Sequence, residues 1–114
     1  MPYIQAKLTV SLNEEEQNKL VSSMINIVSE EMSKPKNYIM TNIETNQKLW
    51  MSNKQIEKGA YISISLLGST TKPVCNNVSQ KICNLLNTEY AIDGNSVYIT
   101  FHPVELWSLN GQMF

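Results

Sequence analysis

The residue with the most distinctive chemistry is Pro2, which follows Met1 at the start of the chain. A methionine before a small residue is usually removed, so we expect Pro2 to become the mature N-terminus. A free N-terminal proline carries a secondary amine in a rigid ring, and this amine can accept a proton or attack a carbonyl group. Burial or a nearby cation lowers the pKa of an α-amino group from about 8 toward neutral pH, where a base is most useful. Taken alone, Pro2 is also an ordinary proline at the start of a chain, where proline is tolerated.

The first half of the chain has the pattern of a strand followed by a helix. Residues 2–10 alternate between apolar and polar side chains, which predicts a strand that begins at Pro2 and has one face against helices. Asn13 and Glu16 have the spacing of a helix capping box. Apolar residues then recur at helical spacing until Pro35, which disfavours helical geometry in the residue before it.

Lys34 is the second candidate for chemistry because of where this pattern places it. It lies in the predicted turn between the helix and the next predicted strand, Tyr38–Ile43. Residues 44–58 are mostly polar, and we interpret them as an excursion from the sheet that could form a contact segment.

A second unit of the same kind completes the chain. Residues 60–67 alternate as a strand, and Pro73 is predicted at the first position of a second helix. Residues 97–101 form the last long predicted strand, which is expected to stop before Pro103. The order strand-helix-strand, repeated, predicts an α+β fold: a βαββαβ two-layer sandwich of a four-stranded mixed sheet and two helices, in one domain spanning residues 1–114.

Composition excludes several classes of function. The formal net charge is -1, which argues against binding to nucleic acid or to a membrane surface. No apolar run approaches the ~20 residues of a membrane span, and no signal peptide is recognisable. Cys75 and Cys83 lie about two turns apart on a predicted helix, too far for a disulfide. With His102 as the only histidine, we expect no metal and no cofactor.

The predicted outer face of the sheet indicates self-association. Its side chains are too polar for a dry core and too apolar for open solvent, which suits an oligomer interface with a partly wet interior. The polar set is Gln5, Lys7, Thr9, Tyr61, Ser63 and Ser65, and the apolar set is Tyr3, Met40, Leu67 and Tyr98.

Several short stretches, in order along the whole chain, carry a family likeness. They are Met1-Pro2, Ser33-Lys34-Pro35, Tyr38-Ile39, Leu67-Gly68, Cys83-Asn84-Leu85-Leu86, Val97-Tyr98-Ile99, Asn110-Gly111 and Phe114. By this ordered set the chain resembles the macrophage migration inhibitory factor family of the tautomerase superfamily, which has parasite members. Its Asn-, Lys-, Ile- and Ser-rich composition would suit an AT-rich genome but identifies no organism.

The resemblance implies a function and a site. It implies a ring-shaped homotrimer that catalyses keto–enol tautomerisation of aromatic α-keto acids such as phenylpyruvate, with dopachrome-type compounds as artificial substrates and with Pro2 as the catalytic base. The substrate-binding residues that the resemblance implies are Lys34, Leu67, Tyr98 from the neighbouring subunit, Tyr38, Thr100, Trp107 and Leu109. Thr100 stands where the family often has asparagine, which puts one substrate contact in doubt.

Two further readings compete with the enzyme. In the first, the chain is a secreted cytokine-like ligand of a cell-surface receptor resembling the class II invariant chain, and the tautomerase site is vestigial. Because no signal peptide is present, this reading expects a protein that is cytoplasmic and also secreted by an unconventional route. In the second, the chain is a small ferredoxin-like ligand-binding or regulatory module, which would leave Pro2 and Lys34 without a role.

Overall fold

A computed structural model describes residues 1–114. The long elements follow the predicted order strand-helix-strand, twice. In chain order the elements are β1 (Pro2–Leu8), α1 (Glu14–Met32), β2 (Met40–Glu44), β3 (Trp50–Met51), β4 (Lys54–Gln55), β5 (Ala60–Leu67), α2 (Lys72–Tyr90), β6 (Val97–Val104), β7 (Ser108–Leu109) and β8 (Gln112–Met113). Single 3₁₀ turns, Lys36–Tyr38 and Gly94–Ser96, precede β2 and β6.

The four long strands form one mixed sheet in the order β2-β1-β5-β6. β1 pairs with β2 in parallel, β5 pairs with β6 in parallel, and the two inner strands β1 and β5 run antiparallel. Each parallel pair is joined by one of the two long helices. The structure therefore confirms the predicted βαββαβ sandwich with a four-stranded mixed sheet.

The core lies between the helices and one face of this sheet. In β1 the alternate residues Ile4, Ala6 and Leu8 are fully buried, while the side chains between them are only partly covered. β5 shows the same alternation from Ala60 to Leu67. Leu20, Met24 and Val28 of α1 and Val78, Ile82 and Leu86 of α2 complete the core from the helical side. The apolar face formed by alternate strand residues thus packs against the apolar stripes of the two helices, as predicted.

Local signals set the helix ends. The Asn13 side chain accepts from the Glu16 backbone N–H at 2.8 Å, and the Glu16 side chain accepts from the Asn13 backbone N–H at 3.0 Å, which confirms the capping box. α1 ends at Ser33, which adopts a left-handed conformation. At α2 the N-cap is Thr71, so Pro73 is the second helical residue; its prediction as the first was wrong by one position.

Four predicted strand ends were wrong, and the smallest error is the end of β2, at Glu44 and not at Ile43. β1 ends at Leu8, two residues early. β2 begins at Met40 and not at Tyr38, because the Tyr38 N–H donates to the Pro35 carbonyl at 3.2 Å and closes a turn. β6 runs through Pro103 to Val104, since β6 is an edge strand, where a missing N–H costs no ladder hydrogen bond.

The polar excursion and the tail form two small hairpins outside the main sheet. β3 pairs with β4 inside the 44–58 excursion, and β7 pairs with β8 in the tail. Neither hairpin was predicted, because strands of two residues have no measurable periodicity. No helix of the structure combines the length and the apolar character that crossing a membrane requires.

Candidate active site

A groove of about 370 Å³ opens beside the first residues of β1. Four of the predicted site residues line it: Pro2, Tyr38, Trp107 and Leu109. Tyr38 and Leu109 are each 48% exposed, so the walls of the groove are apolar surfaces that remain available to a ligand.

Three separate segments of the chain build these walls. Pro2 is the first residue of β1, a position that proline tolerates because the strand has not yet begun to pair through that nitrogen. Tyr38 ends the 3₁₀ turn before β2. Trp107 is held where the tail folds back, since its carbonyl accepts from the Phe114 N–H at 3.0 Å. Trp107 and the strand β7 of this hairpin lie beside the beginning of the chain, since residues 107–109 line the same groove as Pro2.

Lys34 lies next to the chain terminus, and Leu67 connects the two. The Lys34 ammonium donates to the Leu67 carbonyl at 3.3 Å. The Leu67 N–H in turn donates to the Met1 carbonyl at 3.2 Å. Lys34 is directed there by the end of α1, where its backbone N–H donates to the Ser29 carbonyl at 3.1 Å. Lys34 and Leu67 do not line the groove but lie beside it through these contacts to Met1, so six of the eight predicted site residues are in the groove or next to it.

The surroundings of the chain terminus favour the neutral form of the α-amino group. In the 114-residue chain Met1 carries the α-amino group and the nitrogen of Pro2 is an amide. Burial, and after it the positive charge of Lys34, lowers the pKa of this α-amino group from its ordinary value. An amine with a lowered pKa is neutral, and able to accept a proton, at a lower pH than a free terminus.

Tyr98 and Thr100 lie elsewhere in the subunit. In the register of β5 and β6, Tyr98 is the partner of Tyr61, whereas Leu67 of the site is the partner of Val104. Val104 lies six positions after Tyr98 and four after Thr100, which is about 20 Å and about 13 Å respectively at about 3.3 Å per residue. Tyr98 is 62% exposed, and its hydroxyl contacts the Met51 sulfur at 3.4 Å. A single subunit thus does not unite these two residues with Pro2.

Six further residues line the groove that the sequence analysis did not assign to the site: Met1, Tyr3, Asn37, Ile39, Met40 and Ser108. Two of them, Asn37 and Ser108, are polar, and each is the neighbour of a predicted residue, Tyr38 and Leu109 respectively. For Asn37 the available signal was its place in the short turn that carries Lys34 and Tyr38. Ser108 had no signal, since the hairpin that positions it could not be predicted.

The arrangement has the parts for proton transfer next to an anion. The chain terminus and aromatic walls form the groove, and a lysine cation lies beside it. No group of three or more histidine, cysteine, aspartate or glutamate side chains is placed to hold a metal ion. The chemistry that these residues can perform is acid–base chemistry on a ligand with an apolar body and a negative or polarised oxygen.

Known structures share this fold over nearly their whole length. Migration inhibitory factor MIF2 of Leishmania major superposes with a TM-score of 0.90 at 21% identity, covering 100% of this chain and 97% of the other. The migration inhibitory factor-like protein of Entamoeba histolytica gives 0.87 at 25% identity, covering 99% and 98%. The Toxoplasma gondii protein gives 0.89 at 16% identity, covering 98% and 99%. No curated protein sequence matches the chain significantly.

The sequence of the chain also matches a protein-family model, independently of these superpositions. The model described as macrophage migration inhibitory factor matches residues 1–114, the whole chain. The likeness of sequence pattern, the sheet order and the neighbouring folds all agree with that match. The chain belongs to the macrophage migration inhibitory factor family and has the tautomerase fold.

Proposed function

We propose that the protein is a keto–enol tautomerase of aromatic α-keto acids, with phenylpyruvate as the model substrate and Pro2 as the general base. The observation that carries the proposal is the position of Pro2 beside the chain terminus, in an aromatic-walled groove with the Lys34 ammonium next to it. A further support is a structure of the same fold, Pt0534 inactivated by 2-oxo-3-pentynoate, with a TM-score of 0.83 at 12% identity. The compound that inactivates that protein is a 2-oxo acid.

The proposed reaction moves one proton. Removal of Met1 turns the Pro2 nitrogen from an amide into a secondary amine. This amine removes a proton from the carbon next to the keto group, and the electron pair forms the new carbon–carbon double bond while the carbonyl oxygen becomes negative. The Lys34 ammonium stabilises that oxygen or the neighbouring carboxylate. The proton returns to the oxygen, so the enol and the keto acid have the same atoms.

We propose that the complete site is shared in a homotrimer. Tyr98 and Thr100 lie far from Pro2 in their own subunit, so they can take part only in a neighbour's site. The partly polar outer face of the sheet supports such packing. Light scattering at micromolar concentration should give three times the monomer mass of 13.0 kDa. A monomeric mass would contradict both the trimer and the shared site.

The decisive experiment changes only the chain terminus. Mass spectrometry first identifies protein that begins at Pro2. Its rate with phenylpyruvate is compared with that of protein carrying one extra residue before Pro2, whose nitrogen is then an amide. We expect the extension to lower the rate at least about a hundredfold, or about 2.7 kcal/mol. Pro2→Gly keeps a free amine but not the ring, so it should retain weak activity.

The control for this experiment is the oligomeric state of each variant. If the extended protein has the parent's mass in solution and the parent's rate, Pro2 is not the base and the proposed mechanism is wrong. Because the Pro2 side chain is buried, a circular dichroism melt should accompany the glycine variant to separate loss of fold from loss of the base.

A second role, as a secreted cytokine-like ligand, is favoured by the family membership and by the parasite proteins of the same fold. In this role the protein leaves the cell by an unconventional route and binds a cell-surface receptor resembling the class II invariant chain. Surface plasmon resonance against that receptor's ectodomain tests it, with the extended protein as the matched analyte. Equal binding by the protein that begins at Pro2 and by the extended protein would show that the ligand role does not depend on the enzymatic base.

A further inference from the structure

Three hydrogen-bonded side chains form a row on the outer face of the sheet, where β5 and β6 run side by side. The Tyr61 hydroxyl lies 2.8 Å from Thr100 Oγ1, and the same oxygen lies 2.9 Å from His102 Nε2. Thr100 and His102 are two positions apart on β6 and therefore point to the same face. We call these three side chains the Tyr61–Thr100–His102 row.

Counting protons shows that the row has a direction. Thr100 has one hydroxyl proton and can donate it to one acceptor. A phenol is a stronger donor than an alcohol, and an unprotonated imidazole nitrogen is a stronger acceptor than either hydroxyl. When His102 is neutral, the favoured order is therefore Tyr61 donating to Thr100 and Thr100 donating to Nε2. The ring proton is then on Nδ1, and Thr100 has no proton left for a fourth group.

Protonation of His102 reverses this order. Both ring nitrogens of an imidazolium are donors, so Nε2–H must donate to Thr100 Oγ1. The Thr100 hydroxyl proton is then released from the histidine and becomes available to another acceptor. Histidine is the side chain that ordinarily changes charge between about pH 5 and 8.

We propose that His102 is a positioning residue that controls whether Thr100 can donate a hydrogen bond to the substrate. This inference rests on the proposed function, in which Thr100 reaches the site of a neighbouring subunit. The carboxylate and carbonyl oxygens of a keto acid only accept hydrogen bonds. Substrate binding is therefore stronger when His102 is protonated and weaker when it is neutral.

The surroundings of His102 leave Thr100 as its hydrogen-bond partner. No ion pair involves the ring, and the Thr100 contact is its one side-chain hydrogen bond. α2 packs on the opposite face of the sheet. The titratable groups that share the outer face are Tyr61 of β5, Tyr98 of β6, Tyr3 and Lys7 of β1 and Glu44 of β2, and Glu105 follows the end of β6.

A nuclear magnetic resonance experiment tests the row without any turnover. The chain has a single histidine, so the ring ¹⁵N resonances belong to His102. When the His102 ring is neutral, we expect the Nδ1–H tautomer in the parent protein and in Thr100→Ser. Thr100→Val removes the donor, so the Nε2–H tautomer that predominates for histidine in water should return. An Nε2–H tautomer in the neutral parent protein would overturn the proposal.

Kinetics test the consequence for the substrate. On protein that begins at Pro2, KM for phenylpyruvate should rise about three- to tenfold between about pH 5 and 8, the effect of one hydrogen bond. His102→Phe and His102→Gln cannot change charge, so their KM should not follow this pH dependence. Ser65→Ala is the matched control, since Ser65 is the register partner of His102 on β5 and is not part of the row.

The outcomes separate this inference from the proposed function. The dependence of kcat on pH reports the base Pro2 and should be the same in all these variants. A pH-dependent KM in both His102 variants, with the parent's slope, would overturn the role of His102 while leaving the tautomerase in place. Complete lack of turnover would overturn the proposed function, and the tautomer measurement would still decide the direction of the row.

Discussion

Lys34→Met is the substitution that most directly tests how the site works. Methionine keeps an unbranched side chain of similar length but removes the positive charge and the hydrogen bond of 3.3 Å to the Leu67 carbonyl. Two effects follow. The oxygen that becomes negative during enolisation loses its cation, and the terminal amine loses a charge that disfavours its protonation.

The size of each effect follows from the structure. Removal of one preorganised donor at a developing negative oxygen costs about 10² to 10³ in kcat, or about 2.7 to 4 kcal/mol. In the variant, the pKa of the terminal amine should rise only part of the way back to its ordinary value. For the α-amino group of Met1, burial is the larger cause of the lowered pKa and Lys34 the smaller one. We expect the same order of causes for the amine of Pro2, whose burial remains in the variant. Because the amine is the base in its neutral form, the rising limb of the rate moves to higher pH.

The assay is a pH series of kcat and KM with phenylpyruvate on protein that begins at Pro2. Lys36→Met is the matched control, since Lys36 lies two positions along in the same turn and is exposed. We expect the control to keep the parent's kcat and pH profile. If Lys34→Met kept both as well, the lysine would be neither the anion partner nor a cause of the lowered pKa.

Three further predictions concern the fold. Asn13→Ala removes the capping box and should cost about 1 kcal/mol in the free energy of unfolding, measured in urea; a value near zero would contradict the cap. Ile64→Ala opens a fully buried position in β5 and should cost about 2–5 kcal/mol by the same method, far more than an exposed substitution such as Lys36→Ala. Burial raises the pKa of the Cys83 thiol, so near neutral pH iodoacetamide should label Cys83 more slowly in the folded than in the urea-unfolded protein, and equal rates would refute this.

The accuracy of the predictions follows the range of the interactions that decide each element. The alternation in residues 60–67 predicted β5 without error, because one face of an inner strand is buried along its whole length. At the sheet edges the predictions of β2 and β6 were wrong by a few residues. Tyr38 is held in a turn by a local hydrogen bond to Pro35, and Pro103 stays in its strand only because no further strand pairs with β6.

Only part of the candidate site could be predicted from the sequence. Pro2 was conspicuous by its chemistry, and Lys34 by its place in a turn. Their proximity to each other could not be predicted from spacing, since the contact between Lys34 and Leu67 spans 33 positions of the chain. Trp107 and Leu109 reach Pro2 through a hairpin whose strands are too short to leave a pattern in the sequence.

The sequence by itself determined the order of the long elements, the buried faces of the inner strands and the helices, and the capping box that begins α1. These features depend on side chains within a few positions of one another, so periodicity and capping residues are sufficient. The tertiary structure alone decided that the N-terminus and the tail share one groove with Lys34 beside it, and that Tyr61, Thr100 and His102 form a row. Strand pairing decides both groupings, and the register of a sheet joins residues that are distant along the chain.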